Sequence, residues 1–164
     1  GPRVALMPVS PWAHKRWGPD AFARTATLLH EETGAVCVVA GGPGEEEQVR
    51  AVASLLGMIP HRVACFQRLR SLIAFLAGAD LFLGNDNGPR HIAIALDVPT
   101  VGYFGAHNPL HWTPPATHRH PVLWDPEHAR GKRTRDDVVL LDPEPGAVAT
   151  AARNLLSTRE GRSP

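Results

Sequence analysis

The chain has 164 residues, 43% of them hydrophobic and 20% charged, with a formal net charge of +1 at neutral pH. That length makes one domain, 1–164, with room for a sizeable core. No apolar run nears the roughly 18–20 residues needed to span a bilayer, no signal peptide is visible, and the small net charge gives no case for a nucleic-acid partner.

Gly1-Pro2 has the form of a cloning remnant, and Val4 to Val9 is the first apolar strand. A proline-, serine- and glycine-rich loop follows, from Ser10 to Gly18. Pro19 and Asp20 open a helix with Phe22, Ala26 and Leu29 on one face, and Gly34 ends it. Ala35 to Ala40 is a second strand, apolar on both sides as parallel strands are. The turn Gly41-Gly42-Pro43-Gly44 leads into a helix begun by Glu45-Glu46-Glu47. Three acids in a first turn suit the helix dipole without a functional role. That helix carries Val49, Val52, Ala53 and Leu56 and stops at Gly57. Val63 to Phe66 makes a third strand, and Leu69, Leu72, Ile73 and Leu76 mark a helix ending near Gly78.

The stretch LFLGNDNGPRHIAIALDVPTVGY, Leu81 to Tyr103, organises the rest. Leu81 to Leu83 is a buried strand, Gly84 to Gly88 a turn, and Pro89 suits the start of a helix. Pro99 stops that helix, and Thr100 to Phe104 returns as a strand. Beyond it, His107 to Arg135 is a proline-broken loop holding one short strand, Val122 to Trp124, and a charged run from Lys132 to Asp137. Pro143 to Leu156 is a last helix, and Ser157 to Pro164 reads as a frayed tail. Cys37 and Cys65 lie in or beside apolar runs and read as small hydrophobes, which fits a reducing cytoplasm.

Strands alternating with helices predict a doubly wound α/β parallel sheet, whose ligands bind beyond the carboxyl ends of the strands. Three turns share that edge: Ser10 to Gly18, Gly41 to Gly44, and Gly84 to Gly88. A helix N-terminus at Asn87-Gly88 can bind phosphate. Asp86 can accept from hydroxyls there, or merely cap the helix. The chain carries neither GxGxxG after its first strand nor GxxxxGK[ST], which argues against nicotinamide, flavin and P-loop readings. His118, His120 and His128 lack the companion ligands of a zinc site, so no metal is expected.

The run GNDNGPRHIAIALDVPTVGYFG resembles the Asp-Thr-Gly-x-x-His signature of glycosyltransferase family 9, the heptosyltransferase group. The segment SPWAHKRWGPDAFARTATLL is similar to the same family's Lys-x-Trp-Pro segment. The likeness runs from Val4 to about Leu156 and corresponds to the C-terminal half of such an enzyme, one of two Rossmann-like halves in the GT-B arrangement. It implies a nucleotide-sugar donor, usually ADP-heptose, and inverting transfer to a lipopolysaccharide-core sugar without an obligatory metal. It also implies a cytoplasmic place, at the membrane only through the acceptor. By the same resemblance Lys15 meets the donor diphosphate and stabilises the leaving group. Ser10 reaches phosphate, and Glu45 (or Glu46) the nucleoside ribose. Asp86, Asn87, Gly88 and His91 carry the signature, and Gly42 lies in the second turn. Asn87 stands where threonine is usual, so the hydroxyl's contact is lost. Arg90 occupies an often apolar position and either adds charge near the diphosphate or points to water. The catalytic aspartate belongs to the N-terminal acceptor half, so none is expected in this chain, which alone should bind without transferring. Two other classes stay open: a stand-alone or degenerate nucleotide-sugar-binding module, and half of another GT-B-like enzyme such as a nucleotide-sugar epimerase. A longer reading frame upstream of Gly1 would favour the transferase, and an authentic start there the module.

Overall fold

The computed structural model describes residues 1–105, 107–114, 117–124, 126–132 and 140–160. Its strands are β1 (Arg3–Met7), β2 (Val36–Gly41), β3 (His61–Cys65), β4 (Leu81–Asn85), β5 (Thr100–Phe104), β6 (Val122–Trp124) and β7 (Leu140–Leu141). Its helices are α1 (Pro19–Thr33), α2 (Glu46–Ala53), α3 (Leu69–Ala77), α4 (Gly88–Ala95), α5 (Pro126–Ala129) and α6 (Pro145–Glu160). Among the described residues the strands form one sheet of seven, in the order β3-β2-β1-β4-β5-β6-β7. Every neighbouring pair is parallel.

The register sets Ala5 of β1 between Val38 of β2 and Phe82 of β4. Sequence order runs outward in both directions from this central pair, so successive crossovers leave β1 and β4 on opposite faces of the sheet. Accordingly α1 packs on α2 and α6, while α3 packs on α4. The carboxyl ends of β1 and β4 therefore form the topological switch point, the edge at which such sheets bind ligands.

Burial on both faces explains why the central strands read as unbroken apolar runs. Every residue of β4 and β5 is buried, and Phe22, Phe82 and Phe104 show no accessible surface. Each such side chain contributes about 1.5–3 kcal/mol relative to exposure. Helix α1 starts on Pro19 and ends where Gly34 takes the left-handed conformation (φ 69°) and donates its N–H to His30 O. Both cysteines are free; Cys37 is buried and Cys65 half-buried. Burial pushes the Cys37 thiol up to about 12.

Several boundaries differ from the sequence reading. Strand β4 continues through Gly84 and Asn85, because the Asn85 amide is bonded on both sides inside the core. Strand β3 begins two residues earlier, at His61, since as an edge strand it needs no continuous apolar run. Helix α2 closes at Ala53 before the turn at Gly57 (φ 57°). Helix α6 runs through Ser157 to Glu160, so the expected fraying there is corrected; residues 161–164 lie outside the described ones. Among the described residues between His107 and Arg135 the helical elements are two single 3-10 turns and the one-turn helix α5, too short to leave a period in the sequence. Most of the charged run from Lys132 to Asp137 falls outside the described residues.

Candidate functional site

The loop after β1 and the turn after β4 meet at this edge, and two asparagines join them. Asn85 donates from Nδ2 to Pro8 O (2.7 Å) and accepts from the Trp17 N–H at Oδ1 (2.9 Å). Asn87 donates from Nδ2 to Val9 O (3.0 Å), and its Oδ1 accepts the Arg90 N–H (3.1 Å), capping α4. Asn87 thus caps the helix as a threonine would and adds a tie to the first loop. Trp17 locks the loop from below, stacked on Tyr103 (ring centroids 6.2 Å apart) and edge-on to Phe22 (5.1 Å). Gly105 permits the closest approach: a Cβ there would stand 3.0 Å from the Lys15 Cα and collide with the His14 carbonyl.

These contacts bring Lys15, Asp86 and His91 together. Lys15 Nζ lies 4.0 Å from Asp86 Oδ2, and His91 Nε2 lies 3.6 Å from Asp86 Oδ1. The Asp86 side chain is only 7% exposed, yet Oδ1 has no hydrogen-bond partner. A buried carboxylate oxygen so placed is an acceptor waiting for a hydroxyl. At the mouth of α4, Pro89 has no N–H and the Arg90 N–H belongs to the cap, which leaves the amides of Asn87 and exposed Gly88 for an anion. An open depression of about 310 Å³, lined by Trp12, His14, Lys15 and His107, adjoins the cluster. Burial, and then the positive charge of Lys15, hold the His107 imidazole below its ordinary range.

The remaining expected residues sit at the same edge in different states. Ser10 is buried, with its N–H on Gln48 Oε1 (3.0 Å) and its Oγ accepting the Trp12 N–H (3.3 Å). Arg16 is exposed and donates from Nε to Ser10 O (2.8 Å). In the second turn Glu45 Oε2 accepts the Gly42 N–H (2.7 Å), and the Glu45 N–H returns to Gly42 O (3.2 Å). Gly42 therefore has its amide on Glu45, whose carboxylate keeps further acceptor capacity for a ribose hydroxyl.

Arg90 corrects the reading that it points to water, being wholly buried, while Asp86 at the site still feels its charge. Its guanidinium lies over the Phe104 ring (4.8 Å) and donates from Nη1 to Trp112 O (3.1 Å). The space comes from Gly102, where a Cβ would stand 2.7 Å from Arg90 Cδ. Burial lowers this guanidinium to about 10, with nearby Asp86 opposing the shift. Of the three histidines weighed as metal ligands, His118 is exposed and His120 is buried on Thr100 Oγ1 (3.1 Å); the side chain of His128 lies outside the described ones. Among the described residues no group of three or more His, Cys, Asp or Glu side chains is placed to hold a metal ion.

Sequence reasoning missed Asn85, Trp112 and His107. Asn85 hid as a turn residue, although a polar amide ending an apolar strand is a signal of a buried bond. Trp112 is half-exposed with its ring 6.1 Å from that of His91.

Chemically, two cationic or protonatable side chains and a helix mouth around one buried carboxylate can hold an anion beside a hydroxylated group. The sequence profile of "Glycosyltransferase family 9 (heptosyltransferase)" matches residues 1–140. The "Lipopolysaccharide core heptosyltransferase OpsX" of Haemophilus influenzae is 31% identical over 113 residues, 68% of this chain and 32% of that protein. Among solved structures, the family 9 glycosyl transferase from Veillonella parvula superposes with a TM-score of 0.75 at 27% identity, covering 95% of this chain and 46% of that one. The Escherichia coli ADP-heptose lps heptosyltransferase II shares the fold, with a TM-score of 0.77 at 24% identity over 97% of this chain and 47% of that one. The chain thus spans about a third to a half of the length of these three proteins. No helix among the described residues is long and apolar enough to cross a membrane.

Proposed function

The chain belongs to glycosyltransferase family 9, and from that premise we propose that it is the donor-binding half of an inverting sugar transferase acting on a nucleoside-diphosphate sugar. The donor class is that of the relatives, ADP-heptose, with a lipopolysaccharide-core sugar as acceptor. The observation that carries the reading is the buried Asp86 carboxylate, flanked by Lys15 and His91, whose Oδ1 has no hydrogen-bond partner.

In this reading the diphosphate lies across the mouth of α4. The Gly88 amide and Lys15 take its charge, His91 donates to it, and Asp86 accepts from a hydroxyl of the sugar. Glu45, at the neighbouring turn, faces the ribose. When the acceptor hydroxyl attacks the anomeric carbon from the opposite side, the bond to the diphosphate breaks and negative charge grows on the leaving oxygen. Fixed positive groups at that point lower the barrier. Lys15 and the helix mouth would do here what a divalent cation does in other nucleotide-sugar enzymes. The base that takes the acceptor's proton must stand across the cleft, within hydrogen-bond reach of that hydroxyl. We assign it to a facing acceptor domain, with which this one would form a GT-B enzyme.

The test is calorimetric titration of the purified chain with ADP and ADP-heptose, followed by a transfer assay with a lipopolysaccharide-core acceptor. Binding without appreciable transfer is expected. Binding of neither nucleotide would refute the donor reading, and rapid transfer by this chain alone would refute the assignment of the base.

A further inference from the structure

Arg90 is a charge buried where the chemistry described so far has no use for it. Its side chain has no accessible surface, and neither Nε nor Nη2 has a hydrogen-bond partner. A guanidinium left so incompletely paired is poor value for stability, and a well-packed apolar side chain in its place is often neutral or stabilising. What it does have is one bond that joins two separate parts of the edge. The backbone of α4, which carries His91, and the Trp112 carbonyl lie 22 residues apart in sequence and are connected by Nη1. The path is purpose-shaped: Gly102, in the middle of β5, has no side chain to obstruct it, and Phe104 gives the cation a ring to lie on.

We propose that Arg90 is a positioning residue, clamping the segment from His107 to Pro114 from beneath so that the Trp112 ring stands beside His91 as a wall of the donor site. The two rings are 6.1 Å apart at 58°, and Trp112 is 53% exposed. An exposed indole beside a phosphate-binding histidine suits a ring of the ligand, sugar or base. Without the clamp that wall would be formed only part of the time. The inference rests on the donor-site reading for its purpose, and on Arg90 and Trp112 alone for its mechanism. A competing account is that Arg90 acts by charge alone, since Asp86 is near enough to feel it. Lysine separates the two, because it keeps the charge and loses the planar fork that lies on Phe104 while reaching Trp112 O.

The experiment uses the whole chain labelled with 5-fluorotryptophan, as wild type, Arg90→Met and Arg90→Lys. The Trp112 resonance is assigned with Trp112→Phe. Arg90→Met is expected to melt at or above the wild-type temperature, and both variants to shift or broaden the Trp112 fluorine resonance and to bind ADP-heptose on the order of tenfold more weakly. An unmoved Trp112 resonance in Arg90→Met overturns the proposal, and so does an Arg90→Met chain that melts well below wild type or fails to fold. Wild-type affinity in Arg90→Lys shows a field effect and also overturns it. If the wild type itself binds no nucleotide sugar, the donor reading fails, while the fluorine resonance still decides the clamp.

Discussion

Replacing Lys15 by alanine separates ligand binding from folding at this site. In the free protein Lys15 Nζ stands 4.0 Å from Asp86 Oδ2, too far for a hydrogen bond, so the folded state loses little when the ammonium goes. An exposed pair contributes about 0–1 kcal/mol; this one is only 14% and 7% exposed but makes no hydrogen bond, so its loss should cost about 1–2 kcal/mol and lower the melting temperature by about 2–8 °C. The ligand loses more. The Lys15 side chain is only 14% exposed, so a diphosphate approaching it meets a partly desolvated charge. At about 4 Å two unit charges attract by about 1 kcal/mol in bulk water and about 4 kcal/mol at an effective dielectric near 20. Desolvation of both groups offsets part of that, leaving about 1.5–3 kcal/mol for a charge-assisted contact. Lys15→Ala should therefore weaken ADP binding by about 10- to 150-fold, and the deficit should shrink as salt is raised. Calorimetry at two fixed salt concentrations, beside a melting curve, reads both effects. Unchanged affinity would remove Lys15 from the site, and a collapse of the melting temperature would make it a folding residue instead.

Asn87→Ala should cost about 0.5–2 kcal/mol in urea unfolding through loss of the α4 cap, and Asn87→Thr should recover most of it, because threonine can cap but cannot also reach Val9 O. If alanine and threonine destabilise equally, the cap is not what Asn87 supplies. His120 gives the stability a pH dependence of known sign. Burial first, then the positive charges of Arg90 and Arg119, push its imidazole down to about 4. The unfolded chain takes up that proton near pH 6.5 and the native one does not, so stability should fall as pH drops from about 6.5 to about 4, by at most about 1.4 kcal/mol per unit. His120→Gln should flatten that part of the profile in unfolding titrations between pH 7 and 4; an identical slope in the variant would place the proton uptake elsewhere.

Much of the fold could be read in advance because parallel strands covered on both faces must be apolar at every position. Val4 to Val9, Ala35 to Ala40 and Thr100 to Phe104 satisfy that rule almost without exception. Helix α1 was equally plain, since Pro19 and Gly34 are chemically suited to opposite ends. The site was partly legible, because Lys15, Asp86 and His91 all lie in loops at one sheet edge, and parallel strands bring such loops together whatever their sequence separation. What was not legible depends on contacts between distant residues. Arg90 follows a proline in a polar turn and reads as a surface charge; only the room beside Gly102 takes it inside. An isolated glycine within a strand is a sign of close approach by something else, and that sign was present in TVGYF. The one-turn α5 and the two-residue β7 are too short for any period to reveal.

The two asparagines bear on how far donor binding depends on a facing domain. In many nucleotide-binding sheets a run of glycines lets the backbone itself close on the phosphate. Here the backbone carries fewer glycines, and side-chain amides hold the loop of β1 to the turn of β4. Asn85 is wholly buried and makes a bond from each end of its amide, one to Pro8 O and one from the Trp17 N–H. Asn87 does the same at the mouth of α4. A buried amide paired at both ends specifies one geometry, because rotating it would leave two polar groups unpaired at once. Lys15, two residues before Trp17, is thereby fixed relative to Asp86, the residue after Asn85, by bonds internal to this domain. None of those bonds needs an acceptor or a second domain to form. The cost of arranging the diphosphate site is met on folding, which is why binding and transfer should be separable in this chain.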